Sequence, residues 1–167
     1  MCKLIVKWIY VLDNGFSWQS GFSFAEDVAF EDKTGIRRLE LRTNGEITVL
    51  KDYAWDGCTP KFCLIDIVFG IPDGVVHEKT KKPKTFYASL IHDALYQFLD
   101  DGLPLRRKDA DQCFLMLMRE SDFALSRIYY WFVRLLGGMF RHAGKRVRNT
   151  QGKKISLANP AARTNPP

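Results

Sequence analysis

No apolar stretch in this chain of 167 residues approaches the roughly 18 to 20 residues needed to cross a bilayer. The longest run, from Ile128 to Phe140, is broken by Arg134, so no transmembrane span is expected. Signal-peptide features are missing too: Lys7 interrupts the apolar start Leu4-Ile5-Val6, and no small-residue cleavage site follows an apolar core of the right length. Cysteine is scarce. The four residues Cys2, Cys58, Cys63 and Cys113 are expected as free thiols, because a chain of this length builds its core without disulfide staples. Two chemistries are excluded by missing motifs. Gly70-Ile71-Pro72-Asp73-Gly74 is a turn and not a phosphate-cradling loop, and there is no Gly-x-Ser-x-Gly nucleophile elbow. No internal repeat of 20 to 50 residues is present.

Acid is absent from one whole region. Residues 123–167 carry nine Lys or Arg and no Asp or Glu, whereas the preceding 122 residues hold 16 basic and 19 acidic groups. The formal net charge of +6 therefore belongs to the C-terminal end, which suits phosphate, acidic lipid or an acidic partner. The simplest expectation is a solvated basic tail over 147–167 following a single domain over 1–146, with nucleic acid as a candidate partner for the tail.

What is present reads as strands followed by helices. Leu4 to Val11 is rich in β-branched and aromatic residues, and Asp13-Asn14-Gly15 offers turn chemistry before Phe16-Ser17-Trp18, which predicts a pair of strands. Ile36 to Arg42 alternates apolar with polar residues, and Asn44-Gly45 separates it from Ile47-Thr48-Val49-Leu50. Asn-Gly between two such runs predicts a β-hairpin, since both residues tolerate positive φ. A long connection rich in Gly, Pro and charge covers 56–84. Helices are then predicted from Thr85, as cap, to about Asp100; from about Arg107 to Glu120; and from near Phe123, with Gly137-Gly138 interrupting or ending the third. The spacing of Tyr129, Trp131 and Phe132 on this third helix points to core packing, with a membrane-surface or stacking role as the alternative. The fold class expected is α+β: N-terminal antiparallel strands and a hairpin packed against three C-terminal helices, with a disordered basic tail.

Chemistry-bearing residues gather around His92-Asp93, set among apolar neighbours in Ser89-Leu90-Ile91-His92-Asp93-Ala94-Leu95-Tyr96. Burying both without partners costs several kcal/mol. At about 100° per residue, His92 shares a face with Ala88 and Tyr96, and Asp93 with Ser89 and Gln97. Arg107 and Asp111, one turn apart on the next helix, come within reach. Two readings stay open. In one, Asp93 and Arg107 form a buried ion pair and His92 bonds a loop carbonyl. In the other, His92, Asp93 and Asp111 act as a general acid/base set or hold a divalent ion, Zn, Mn or Mg. Asp56 in Asp56-Gly57-Cys58-Thr59-Pro60 is a fourth candidate ligand. Catalytic roles then fall to His92, Asp93 and Arg107, and substrate binding to Thr59, Tyr96 and His77. Cys58 is a further candidate, either as a nucleophile paired with His92 or, with Cys63 and a histidine, as a zinc ligand.

Taken in order, Asp56-Gly57-Cys58-Thr59-Pro60, His92-Asp93-x-x-Tyr96 and Arg107-x-x-Ala110-Asp111 resemble the domain of unknown function 1353 family of bacteriophages and prophages. The resemblance spans roughly residues 40–138, including Val133-Arg134-x-x-Gly137. It implies a phage or prophage origin, a small α+β domain, and a place in the cytoplasm of the infected host cell or in the virion. His77, His92-Asp93 and Asp111 also resemble the ligand pattern of the HD phosphohydrolases. There, however, helices surround the metal, whereas here strands precede the site and Asp56 would have to replace the first His. Two functions follow as expectations: a small metal-dependent hydrolase of phosphoester bonds, or a non-enzymatic phage virion, assembly or host-factor-binding component in which His, Asp and Arg form a structural network.

Overall fold

A computed structural model describes residues 10–55, 57, 62–64, 67–69, 76–78, 81–144 and 152–157. The expected α+β class holds: among the described residues the order is β1 (Tyr10–Val11), β2 (Phe16–Gln19), β3 (Val28–Glu31), β4 (Arg37–Leu41), β5 (Glu46–Val49), β6 (Ala54–Trp55), β7 (Phe62–Leu64), β8 (Ile67–Phe69), α1 (Phe86–Phe98), α2 (Arg107–Glu120), α3 (Ser126–Gly144) and β9 (Lys153–Ser156). Five strands form an antiparallel sheet in the order β2-β5-β4-β3-β9, while β1 pairs with β6 and β7 with β8.

The predicted hairpin is β4 and β5, with Leu39 opposite Val49 and Leu41 opposite Ile47. Gly45 closes it at φ 88°, and a Cβ there would stand 2.1 Å from the Phe22 carbonyl oxygen. Only glycine meets both demands. Asp32 closes the β3–β4 turn by accepting from the Thr34 backbone and hydroxyl and from Arg38. Burial works against its charge, but these donors outweigh it and hold its carboxyl at about 2. Val28, Phe30, Leu39, Leu41, Ile47 and Val49 have no exposed surface. They fall at alternate positions and so share one sheet face. Against it lies α1, whose Leu90, Ile91, Ala94, Leu95 and Phe98 are equally buried. Phe30 and Phe98 meet with ring centroids 5.3 Å apart.

Four expectations are corrected. Asp13-Asn14-Gly15 does not join a hairpin: β1 pairs with β6 and β2 with β5, because the apolar faces of these strands find longer-range partners. Thr85 precedes α1 without a side-chain cap bond; its backbone is already helical, and the Phe86 N–H is satisfied by the Pro83 carbonyl at 2.9 Å. Gly137 and Gly138 lie within α3, which runs on to Gly144, so their low propensity is outweighed by the rest of the helix. The tail expected over 147–167 contains β9, paired antiparallel with β3 and tied by Lys154 to Glu26 at 2.9 Å.

Gly152 makes that pairing possible. A Cβ on it would lie 2.5 Å from Asp101 Oδ2 and 2.7 Å from a Phe98 ring carbon. Gly152→Ala is expected to cost about 1–3 kcal/mol through overpacking and to release β9 first. The check is hydrogen exchange, which should accelerate across Lys153–Ser156 while the β4–β5 amides stay protected.

Candidate functional site

The helices present one polar cluster where α1, α2 and α3 meet. The α2 start is fixed by Asp109, whose carboxylate accepts the Arg106 backbone N–H at 2.9 Å, as a negative group at the third helical position should. This sets Arg107 and Asp111 one turn apart, facing α1. Asp111 has no exposed side-chain surface. Its Oδ1 accepts from His92 Nε2 at 3.1 Å and from the Tyr96 hydroxyl. Its Oδ2 accepts from an Arg134 guanidinium nitrogen at 2.9 Å, with Arg107 Nε at 3.9 Å. Arg107 donates to the Tyr96 hydroxyl at 3.0 Å and to the carbonyls of Val133 and Arg134 at 3.2 and 2.5 Å. The His92 ring packs on Tyr96 with centroids 4.0 Å apart and on Phe114 at 5.1 Å.

The cluster joins His92, Tyr96, Arg107 and Asp111 as expected and makes Asp111 its hub. Asp93 stands at its edge, with Oδ1 3.8 Å from His92 Nδ1. An Asp93–Arg107 ion pair is not what forms. The pitch of α1 turns Asp93 toward the side of Ser89 and Gln97, which bond Trp55 and Tyr53, while Arg107 stays with Asp111 and the α3 carbonyls. Nor does His92 depend on a loop carbonyl, since Asp111 takes its Nε2. His77 lies in the turn before α1, where its N–H meets the Lys82 carbonyl at 2.8 Å. Asp56, Cys58 and Thr59 fall outside the described residues. Cys63 lies in β7, and Cys113 is a free, buried thiol whose pKa burial, with Asp109, pushes up to about 12, far from a nucleophile's. One participant went unassigned in the sequence: Arg134. Its signal was there, as the lone charge inside an otherwise apolar run.

Opposite shifts mark the buried pair. Burial works against the charge of both groups. The hydrogen bond and charge of His92, with Tyr96 and Arg134, nevertheless hold the Asp111 carboxyl below its ordinary 3.8. The bonds from Asp111 and Asp93 raise His92 above its ordinary 6.5. The Tyr96 hydroxyl is pushed up by burial and by Asp111. A lowered acid contributes stability that is complete above its unfolded pKa and lost as pH falls through the folded one. A raised histidine contributes stability that is complete below its unfolded pKa and lost as pH rises through the folded one. Both contributions are complete between about pH 4 and 6.5. Urea midpoints measured across pH are expected to be highest in that window, and His92→Gln should flatten the decline on the alkaline side.

The outer side of α3 contrasts with this satisfied interior. Tyr129 and Ser126 are buried, but Ile128, Trp131, Phe132 and Leu135 are 52%, 61%, 46% and 70% exposed. The core role expected for Trp131 and Phe132 is thus corrected, while Tyr129 keeps it. No helix among the described residues is long and apolar enough to cross a membrane. Compared with known proteins, the chain matches no family model, no curated protein and no solved structure.

Proposed function

We propose that the protein is a non-enzymatic phage component that works by binding, with the Asp111 cluster as its internal frame and the outer face of α3 as its contact surface. The carrying observation is that face: four large apolar side chains at helical spacing, each about half exposed or more, on a helix whose inner side is anchored. Soluble monomers seldom leave such a patch without a use. The cluster fits a framing role because the oxygens of Asp111, on α2, are taken up by donors from α1 and α3, which ties the three helices together. The phage setting, with action in the host cytoplasm or in the virion, is supported by the three ordered motifs. Complementation of a phage lacking the gene tests the proposal. The double variant Trp131→Ser with Leu135→Ser should fold but fail to restore phage yield, whereas full restoration would sink the binding role of this face.

A metal-dependent phosphoester hydrolase is the second reading, favoured by one detail. Asp111 engages His92 Nε2, and Nδ1 stands 3.8 Å from Asp93 Oδ1. A carboxylate on the far nitrogen is how metal-ligating imidazoles are usually oriented. His92 and Asp93 would be ligands, joined by Asp56, and Asp111 would orient His92 without touching the ion. Among the described residues no group of three or more His, Cys, Asp or Glu is placed to hold a metal, so this reading depends on Asp56. Elemental analysis and phosphodiesterase assays distinguish the two. The binding role predicts no stoichiometric metal. About one Zn, Mn or Mg per chain, lost in both His92→Ala and Asp93→Ala together with activity, would establish the hydrolase instead.

A further inference from the structure

The face of α3 has a charge environment that selects its occupant. Arg127 is exposed one residue before Ile128. On the inner side, Arg107 reaches the carbonyls of Val133 and Arg134, which brings the start of α2, with Arg106 and the exposed Lys108, alongside the middle of α3. The acids of that region are spoken for: Arg106 engages Asp109 at 3.1 Å and Arg134 engages Asp111 at 2.9 Å. Along the chain, residues 123–167 contain no acid, and Arg141, Lys145, Arg146 and Arg148 follow the apolar stretch. Among the described residues, the ridge of Ile, Trp, Phe and Leu is thus flanked by the exposed Arg127 and carried on the helix that packs against the basic start of α2. A second copy of the chain would bring two such basic surroundings together, and like charges oppose that contact.

We infer that α3 lies flat on an anionic lipid surface, with Ile128, Trp131, Phe132 and Leu135 entering the boundary between headgroups and acyl chains while Arg127 and Lys108 face the headgroups. This deepens the binding function proposed above and rests on it. The 19 residues of α3 span about 28 Å at 1.5 Å per residue. Arg134 in mid-helix is held by Asp111, so the helix stays docked to α2 and lies along the interface in place of crossing it. Amphipathic helices with Trp, Phe and Leu on one side and basic residues on the other bind interfaces in this way, strengthened by negative lipid.

The test is flotation of the full chain with vesicles of phosphatidylcholine alone and of phosphatidylcholine with phosphatidylglycerol, at low and high salt. Binding is expected to be at least about tenfold tighter to the anionic vesicles and to weaken with salt. Brominated acyl chains should quench Trp131 fluorescence, and Trp131→Phe should remove the quenched component while keeping affinity. Trp131→Ser with Leu135→Ser should abolish binding with the circular dichroism spectrum unchanged, and Arg127→Glu with Lys108→Glu should erase the preference for anionic lipid. Absence of vesicle binding, or equal binding to both compositions, would overturn the inference. A dimer seen by sedimentation velocity and broken by the Ser pair, without vesicle binding, would overturn it too and assign the face to a second copy. In either case phage complementation decides separately on the binding function. A Ser pair that fails to complement although the wild type ignores vesicles leaves that function standing with a protein occupant, and a Ser pair that complements fully removes both.

Discussion

Asp111→Ala is expected to lower the unfolding free energy by about 3 kcal/mol, near the lower end of the range for breaking a buried ion pair. The size follows from what stays behind. His92, raised toward its charged form, and the Tyr96 hydroxyl lose their shared acceptor, and two guanidiniums lose their counter-charge. Arg107 and Arg134 keep 26% and 31% of their side-chain surface in water and recover part of their hydration, which keeps the cost from the upper end. Asp111→Asn restores a carbonyl acceptor but points an amide donor at other donors, so it should recover less than half of the loss. A double-mutant cycle between Asp111→Ala and Arg134→Ala is expected to give a coupling of about 1–3 kcal/mol, read from urea denaturation at pH 6. A single-variant loss under about 0.5 kcal/mol, typical of ordinary surface positions, would mean that the cluster does not frame the three helices.

How far this cluster could be read in advance depended on which interactions are local. Arg107–Glu120 was legible because its period, its first-turn acid and its bounds all lie within one stretch of chain. Arg107 and Asp111 therefore fell on one face as expected, and the Asn44-Gly45 hairpin was legible for the same reason. Arg134 was not, because its partner is 23 positions away and nothing local says which way a lone Arg in an apolar run will turn. The same limit hid β3 and β9. Val28-Ala29-Phe30 is a short continuous apolar run with no alternation to distinguish strand from helix, and Lys153-Lys154-Ile155-Ser156 is mostly polar, as an edge strand should be. Its pairing depends on β3, more than a hundred residues earlier, and on the close approach of Gly152 to Phe98. On α3, periodicity identified an apolar face but not whether that face turns inward. Two faces carry aromatics, and the one bearing Tyr129 packs against Phe123, at a centroid distance of 4.8 Å, leaving Trp131 outside.

Trp55→Ala is the second large effect expected, a loss of about 4 kcal/mol, within the range for truncating a buried aromatic, and a fall in melting temperature of roughly 10 °C for a domain of this length. Trp55 has no exposed surface. Its ring meets Phe86 edge-on at 4.9 Å and Tyr10 at 5.4 Å, and its indole N–H reaches the Ser89 hydroxyl at 3.2 Å. One side chain thus fixes β6 to β1 and both to the first turns of α1. Trp55→Phe keeps most of the ring contacts and should cost only about 1–2 kcal/mol, since Ser89 still donates to the Phe86 carbonyl at 2.9 Å. The conservative variant also separates the two functional readings. Trp55 directly precedes Asp56-Gly57-Cys58-Thr59-Pro60, so a hydrolase using Asp56 and Thr59 should lose metal affinity and turnover when the anchor is trimmed. The outer face of α3 belongs to a different part of the fold, held through Asp111 and Arg134. Trp55→Phe should therefore leave vesicle affinity and phage complementation at wild-type levels, whereas a fall in metal content and turnover in the same variant would favour the hydrolase reading instead.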